Sequence, residues 1–122
     1  MKFIIPGTLP NLNDYTEANR KNRYAAAAMK NQCEHLIILC IKSQLRNKQA
    51  NTPVMVRFNW IEPNRARDKD NIAFAKKFIF DAMVKSKLIP GDGWKHVEGF
   101  EDRFSVDKKN PRIEVEILEA EA

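Results

Sequence analysis

Residues 54–60, VMVRFNW, set Val54, Val56, Phe58 and Trp60 in strict alternation with Met55, Arg57 and Asn59. Side chains of a strand alternate between its two faces, so the pattern predicts a strand with one apolar and one solvated side. Such a strand has to lay its apolar side on something. The next regular stretch, about 71–87, supplies it: Ile72, Ala73, Phe78, Ile79, Phe80, Met83 and Val84 make that helix apolar around most of its girth. A helix covering one face of a sheet is the arrangement these two segments require.

The rest of the chain extends this pair. KFIIP at 2–6 reads as a short strand ended by proline, and the turn-forming run PGTLPNLND follows. A long helix is expected from about Tyr15 to about Asn47, with Asp14 or Thr16 as cap and Ala25–Ala28 favouring helix. After a polar loop, the strand PVMVRFNWIEP and the helix at 71–87, the chain closes with a hairpin: about His96 to Val106, a turn at DKKNP, then RIEVEIL. The order strand-helix-strand-helix-strand-strand predicts an α+β fold, a two-layer single domain over residues 1–122 built on a mixed β-sheet.

With 122 residues and 43% hydrophobic composition the chain suits one core. The net charge of +5 permits a nucleic-acid partner without requiring one. No stretch has the length of a signal peptide core or a membrane span; LIILCI at 36–41 is a charge-flanked helix core. Cys33 and Cys40 fall seven apart on a helix, share a face and lie badly for a disulfide. Free thiols in a reducing cytoplasm are the expectation, and no CxxC pair supports a zinc site with His35.

Between the strand and the apolar helix stands RARDKDN, residues 65–71. One reading is a salt-bridged turn in which Asp70 or Asn71 caps the helix and Lys77, Asp81 and Lys85 form a solvated ladder. The other is chemical. Asp68 and Asp70, one residue apart in an extended segment, point the same way and can share one cation. Paired carboxylates suit Mg²⁺, which keeps several waters. Asp92, in the Gly-flanked loop PGDGW, is a third acid able to return to that site. Arg65, Arg67 and Lys69 would then hold phosphates. On a helical wheel started at Asp70, Lys77 and Asp81 fall on the same narrow stripe, whereas Lys76 falls outside it and is read as facing solvent or phosphate.

The elements DKDN, then KKFIFDAM, then GDGW resemble the signature of RusA-type Holliday junction resolvases, particularly those of phages and prophages of Gram-positive bacteria. PGTLPNLNDY, with Asn13, is similar to that family's proline-rich entry, and PRIEVEI to its final strand. The likeness covers most of the chain, though only the middle block is specific. It implies a homodimer that binds four-way DNA junctions and nicks two opposing strands using Mg²⁺ or Mn²⁺. It further implies Asp68, Asp70 and Asp92 as metal-binding carboxylates and Lys77 as the catalytic lysine, with Asn13, Asn71 and Asp81 in support. Two features depart from enterobacterial members: the segment before the lysine is longer by about one helical turn, and Gly91 stands where they carry a second Asp.

Other residues carry two readings each. Arg20, Lys21, Arg23 and Lys30 either track DNA arms or form a solvated basic face. Lys76 adds to the phosphate contacts. Tyr15, Tyr24 and Trp60 read as packing, Trp94 as a buttress of the Asp92 loop, His96 as incidental, and Phe100 and Phe104 as core or dimer surface. The alternatives to junction resolution are a branched-DNA-binding protein with a weak or silent nuclease centre, and a nuclease acting on flaps or forks.

Overall fold

The structure, a computed structural model, describes residues 1–121. The chain runs β1 (Lys2–Pro6), α1 (Leu12–Lys21), α2 (Arg23–Leu45), β2 (Val54–Glu62), α3 (Lys69–Ala73), α4 (Lys76–Lys85), β3 (Val97–Val106) and β4 (Arg112–Leu118). The strands make one mixed sheet in the order β1-β4-β2-β3, with β2–β3 parallel and the other two pairs antiparallel. The fold is α+β, as the alternation of strand and helix patterns predicts.

The alternating residues of β2 set the two layers. Val54, Val56, Phe58 and Trp60 are all at most 1% exposed, and the register joins them to buried neighbours on β1 and β4 and to partly buried ones on β3. One row across the sheet is Phe3, Val115, Phe58 and Asp102, and the next is Ile5, Ile113, Trp60 and Phe104. Helices α2 and α4 cover this side, giving Ile37, Ile41, Phe78, Ile79 and Met83 to the same core. The other side is polar. There Arg57 pairs with Glu101 and Glu116, and Arg112 with Glu114 and Asp107.

Three expectations about the elements need correcting. The helix foreseen over 15–47 is two helices, starting at Leu12. Asn11 caps α1 through a reciprocal box with Asp14. At Asn22 the backbone turns extended; its N–H closes α1 on Ala18 and its side chain caps α2 by accepting from Ala25 N at 2.8 Å. Asparagine is among the best caps, and no apolar residue stands between Ala18 and Tyr24 to hold a straight helix through this polar run.

The helix foreseen over 71–87 is α3 and α4, joined at Phe74–Ala75. The amides of Ala75, Lys77 and Phe78 bond three residues back rather than four, a tightened 3₁₀ step that rotates α4 relative to α3.

The last two strands do not pair with each other. β2 lies between them, and the turn at DKKNP passes over its end, where Asp107 N donates to Glu62 O at 2.9 Å. Strands two apart are separated by about 10 Å, which five residues easily cross. Burial explains the choice. Ile113, Val115 and Ile117 are at most 2% exposed and belong in mid-sheet, whereas β3 brings Asp102 and the half-exposed Phe100 to the same face and suits an edge.

Cys33 and Cys40 are buried free thiols, and burial raises the pKa of both, leaving little thiolate at neutral pH. Among the described residues no helix is long and apolar enough to cross a membrane.

Candidate functional site

Strands β2 and β3 run parallel, so their carboxyl ends open at one place, where ligands of open α/β sheets commonly bind. Here that place is a cleft of about 1030 Å³. Glu62 lines it from the end of β2, Asn64, Arg65 and Arg67 to Asp70 from the junction, and Phe104, Ser105 and Val106 from the end of β3, with Ile72 in its wall. The junction reaches it by two local devices. Asn64 Oδ1 accepts from Ala66 N in a side-chain turn, and Asp68 O accepts from Ile72 N to begin α3.

Arg67 is the brace of the cleft. Its Nε and Nη2 fork onto the two oxygens of Glu62 at 2.9 and 3.0 Å, and Nη1 donates to Leu9 O at 2.8 Å. Glu62 is 6% exposed. The pair ties the junction to the end of β2 and to the loop before α1, so the phosphate contact expected of Arg67 is spent on the protein itself.

The other charges behave differently. Arg65, Asp68, Lys69 and Asp70 are exposed on this cleft and enter no ion pair among the described residues, although the signs alternate along the chain. Asp68 precedes α3 with an extended backbone and makes no capping hydrogen bond. The Asp70 carboxylate accepts only from Asn71 N, at 2.9 Å. Lys69 Nζ lies 5.7 Å from the centre of the Phe104 ring. The charges of the turn therefore do not pair with one another, although the Lys77–Asp81 rung of the expected ladder does form. The expectation that both aspartates lie on extended chain also fails, because α3 begins at Lys69 and Asp70 is helical. Both carboxylates nevertheless line one cleft.

Lys77 and Asp92 meet elsewhere, on the far side of the 3₁₀ step. Lys77 Nζ donates to Asp81 at 3.0 Å and lies 3.9 Å from Asp92, while Asp81 also meets Lys30 of α2 at 3.3 Å. The Asp81 hydrogen bond holds the Lys77 ammonium above the ordinary lysine range, with the nearby charge of Asp92 adding to it. Lys30 thus leaves the basic face on which it was expected. Behind it Glu34, 2% exposed, takes Lys85 at 2.7 Å on one oxygen and has no hydrogen bond on the other. Asp92 is not among the residues that line the cleft with Asp68 and Asp70, and among the described residues no three His, Cys, Asp or Glu side chains are grouped to hold one metal ion. The two acids that share the cleft are Asp68 and Asp70, hard oxygen donors of the kind Mg²⁺ takes.

Lys76 is the clearest reversal. It is bonded to Asp102, which also accepts from Trp60 Nε1 at 2.9 Å, and its ammonium stands 4.1 Å over the Phe100 ring. It fastens edge strand β3 to α4 and does not face solvent or phosphate. Trp60 is core, and Tyr15 packs on Phe74 and Phe78. Tyr24 instead is 71% exposed beneath Arg23. Arg20, Lys21 and Arg23 are exposed but straddle the break at Asn22, and Asn13 is exposed on the first turn of α1. His96 bonds Thr52 Oγ1 at 3.0 Å. Trp94 buttresses nothing: it is fully exposed.

In comparisons with known proteins, no family model and no curated protein matches the chain. What the site can do rests on its residues.

Glu62, Glu34 and Asp102 were not foreseen as part of this region. Glu62 and Glu34 are acids within largely apolar stretches (NWIEP, QCEHLI), and that misfit is the signal their sequence context carried, whereas Asp102, between Glu101 and Arg103, carried none.

Proposed function

We propose that the chain is a metal-dependent endodeoxyribonuclease of branched DNA, with the four-way junction as substrate and Asp68, Asp70, Asp92 and Lys77 as its catalytic residues. The observation that carries this reading is the cleft at the ends of β2 and β3. Two carboxylates and two cations face one space there, and none neutralises another. Leaving such charges unpaired is useful where a ligand brings both a cation and an anion, as a phosphodiester with its divalent ion does. Arg65 and Lys69 bind the phosphates flanking the scissile bond. Asp68 and Asp70 hold Mg²⁺ or Mn²⁺, whose chemistry when bound is to polarise the phosphodiester. Lys77, kept protonated by Asp81 beside Asp92, lies outside the lining of this cleft. The bound DNA has to bring the phosphate within reach of that ammonium, which there offsets the developing negative charge. Water attacks phosphorus and the bond to the 3′ oxygen breaks, leaving a 5′-phosphate and a 3′-hydroxyl. Paired nicks in a two-fold junction call for two such sites, hence a homodimer working on DNA in the cytoplasm.

One observation favours a second reading. Asp92 sits on Lys77, apart from Asp68 and Asp70, and a branched-DNA-binding protein with a weak or silent centre would look the same. A synthetic four-way junction incubated with Mg²⁺, beside three-way, flap and linear duplex DNA, decides between them. Paired symmetric nicks made by the wild type and lost in Asp70→Asn support the enzyme. Tight, salt-sensitive binding with no product supports the binding protein, and cutting confined to flaps moves the substrate.

A further inference from the structure

Trp94 is 100% exposed, the most exposed of the large apolar side chains. Tryptophan is highly buried on average, so a fully exposed one is uncommon on a folded chain, and it offers an open aromatic face. The loop that carries it is held at both sides. Gly93 O accepts from His96 N and Val97 N, both at 3.0 Å, His96 O accepts from Val54 N at 2.9 Å, and the His96 ring bonds Thr52. That ring also lies against Gly91, where an added Cβ would meet its Cδ2 at 3.2 Å. Trp94 is thus presented by a braced loop, two residues from Asp92 and beside exposed Lys95.

Protein partners bury their aromatic anchors within an apolar, close-packed surround. Around Trp94 the exposed chain neighbours Asp92, Gly93, Lys95 and Glu98 provide none. A nucleobase asks for less: one open aromatic face and a cation close by for its phosphate, a combination that recurs in proteins binding unpaired strands. Lys95 enters no ion pair among the described residues and supplies the cation. At the centre of a branched DNA, bases that lose their stacking neighbours are the ones available.

We propose that Trp94 is the stacking platform for an unstacked base at the branch point, with Lys95 beside it for the phosphate of that base. The assignment rests on the branched-DNA reading above, and its test separates the two. Trp60 is 1% exposed and hydrogen-bonded to Asp102, so the exposed-tryptophan fluorescence of this protein belongs to Trp94 alone. The full chain is titrated without divalent metal with a four-way junction, a gapped duplex and an intact duplex. The expected result is quenching of the exposed-tryptophan emission by the junction and the gapped duplex and little by the intact duplex. Trp94→Ala is expected to weaken junction binding roughly tenfold, the scale of one lost base–aromatic stack, and Trp94→Phe to restore it to within about threefold. Binding of the wild type with no quenching, and equal binding by Trp94→Ala, overturns the platform and leaves the nuclease reading standing. Failure of the wild type to bind any branched DNA overturns both. If Trp94→Ala instead shifts the protein toward monomer in sedimentation, the occupant of Trp94 is a second copy of the chain, and the proposal falls.

Discussion

Removing the Arg67 side chain separates scaffold from DNA contact at the candidate site. Arg67→Ala strands Glu62, 6% exposed, without its forked partner and takes a donor from Leu9 O. Breaking a buried ion pair from one side costs about 3–5 kcal/mol. Arg67 itself is 23% exposed, so water reaches its end of the pair and the lower figure applies, about 3 kcal/mol. For 122 residues, the usual unfolding entropy converts 1 kcal/mol to about 4 °C, and the melting temperature should fall by about 12 °C. Circular dichroism melts and urea titrations at pH 7 measure both quantities.

The companion double variant Arg67→Met with Glu62→Leu removes the charge and its counter-charge together. Such replacements are often close to neutral, so it should recover most of the loss and leave about 1 kcal/mol for the Leu9 carbonyl. It should also bind junction DNA with the salt dependence of the wild type, because Arg67 spends its donors on the protein. A melting shift under about 3 °C for Arg67→Ala would refute the scaffold argument. So would a double variant that is stable but has lost about one unit of salt slope, since that is the mark of a phosphate contact.

Two further predictions concern the charges that flank this brace. Asp68→Asn and Asp70→Asn should each weaken Mn²⁺ binding at least tenfold in calorimetry and abolish metal-dependent cutting, yet shift the melting temperature by no more than about 2 °C, because neither carboxylate holds another side chain; a large melting shift with unchanged Mn²⁺ binding would make them structural. Asp81→Asn should lower the Lys77 pKa, read by a carbon-13 titration of its side chain. The native pair raises that pKa, so its stabilisation is complete below the ordinary lysine value of about 10.4 and fades as pH rises through the higher folded value. The stability gap between wild type and Asp81→Asn should therefore narrow above about pH 10.5, and a gap that widens there would contradict the pairing.

How far the sequence discloses this molecule depends on which forces were local. Period-two alternation at 54–60 and 112–118 is a statement about burial on one face, and Val54, Phe58, Trp60, Val115 and Ile117 all obey it. Alternation says nothing about which strand lies alongside. The turn chemistry at Asp107, whose Oδ1 accepts from Lys109 N and Asn110 N, is real, yet the strands it joins are held apart by β2. Adjacency was decided by which apolar faces needed the centre of the sheet, a global competition invisible in either strand alone.

Charge is legible in a similar, limited way. Every charge in RARDKDN was visible, and so were the alternatives of pairing within the turn or serving a ligand. What decided between them was Glu62, just outside the run at the end of β2, which took Arg67 and left Arg65, Asp68, Lys69 and Asp70 open to the cleft. Lys76 and Lys77 show the same dependence over one residue. A helical wheel drawn through an unbroken helix puts Lys77 on the Asp70 stripe and Lys76 out in solvent. The 3₁₀ step at Phe74–Ala75 and the acid at Asp102, on a strand twenty-six residues away, turn Lys76 inward as a strut. A cation's role here follows from which acid the tertiary fold brings to it, and that is why the two partnerless cations of the cleft, Arg65 and Lys69, are stronger candidates for DNA than the paired Arg67 and Lys76.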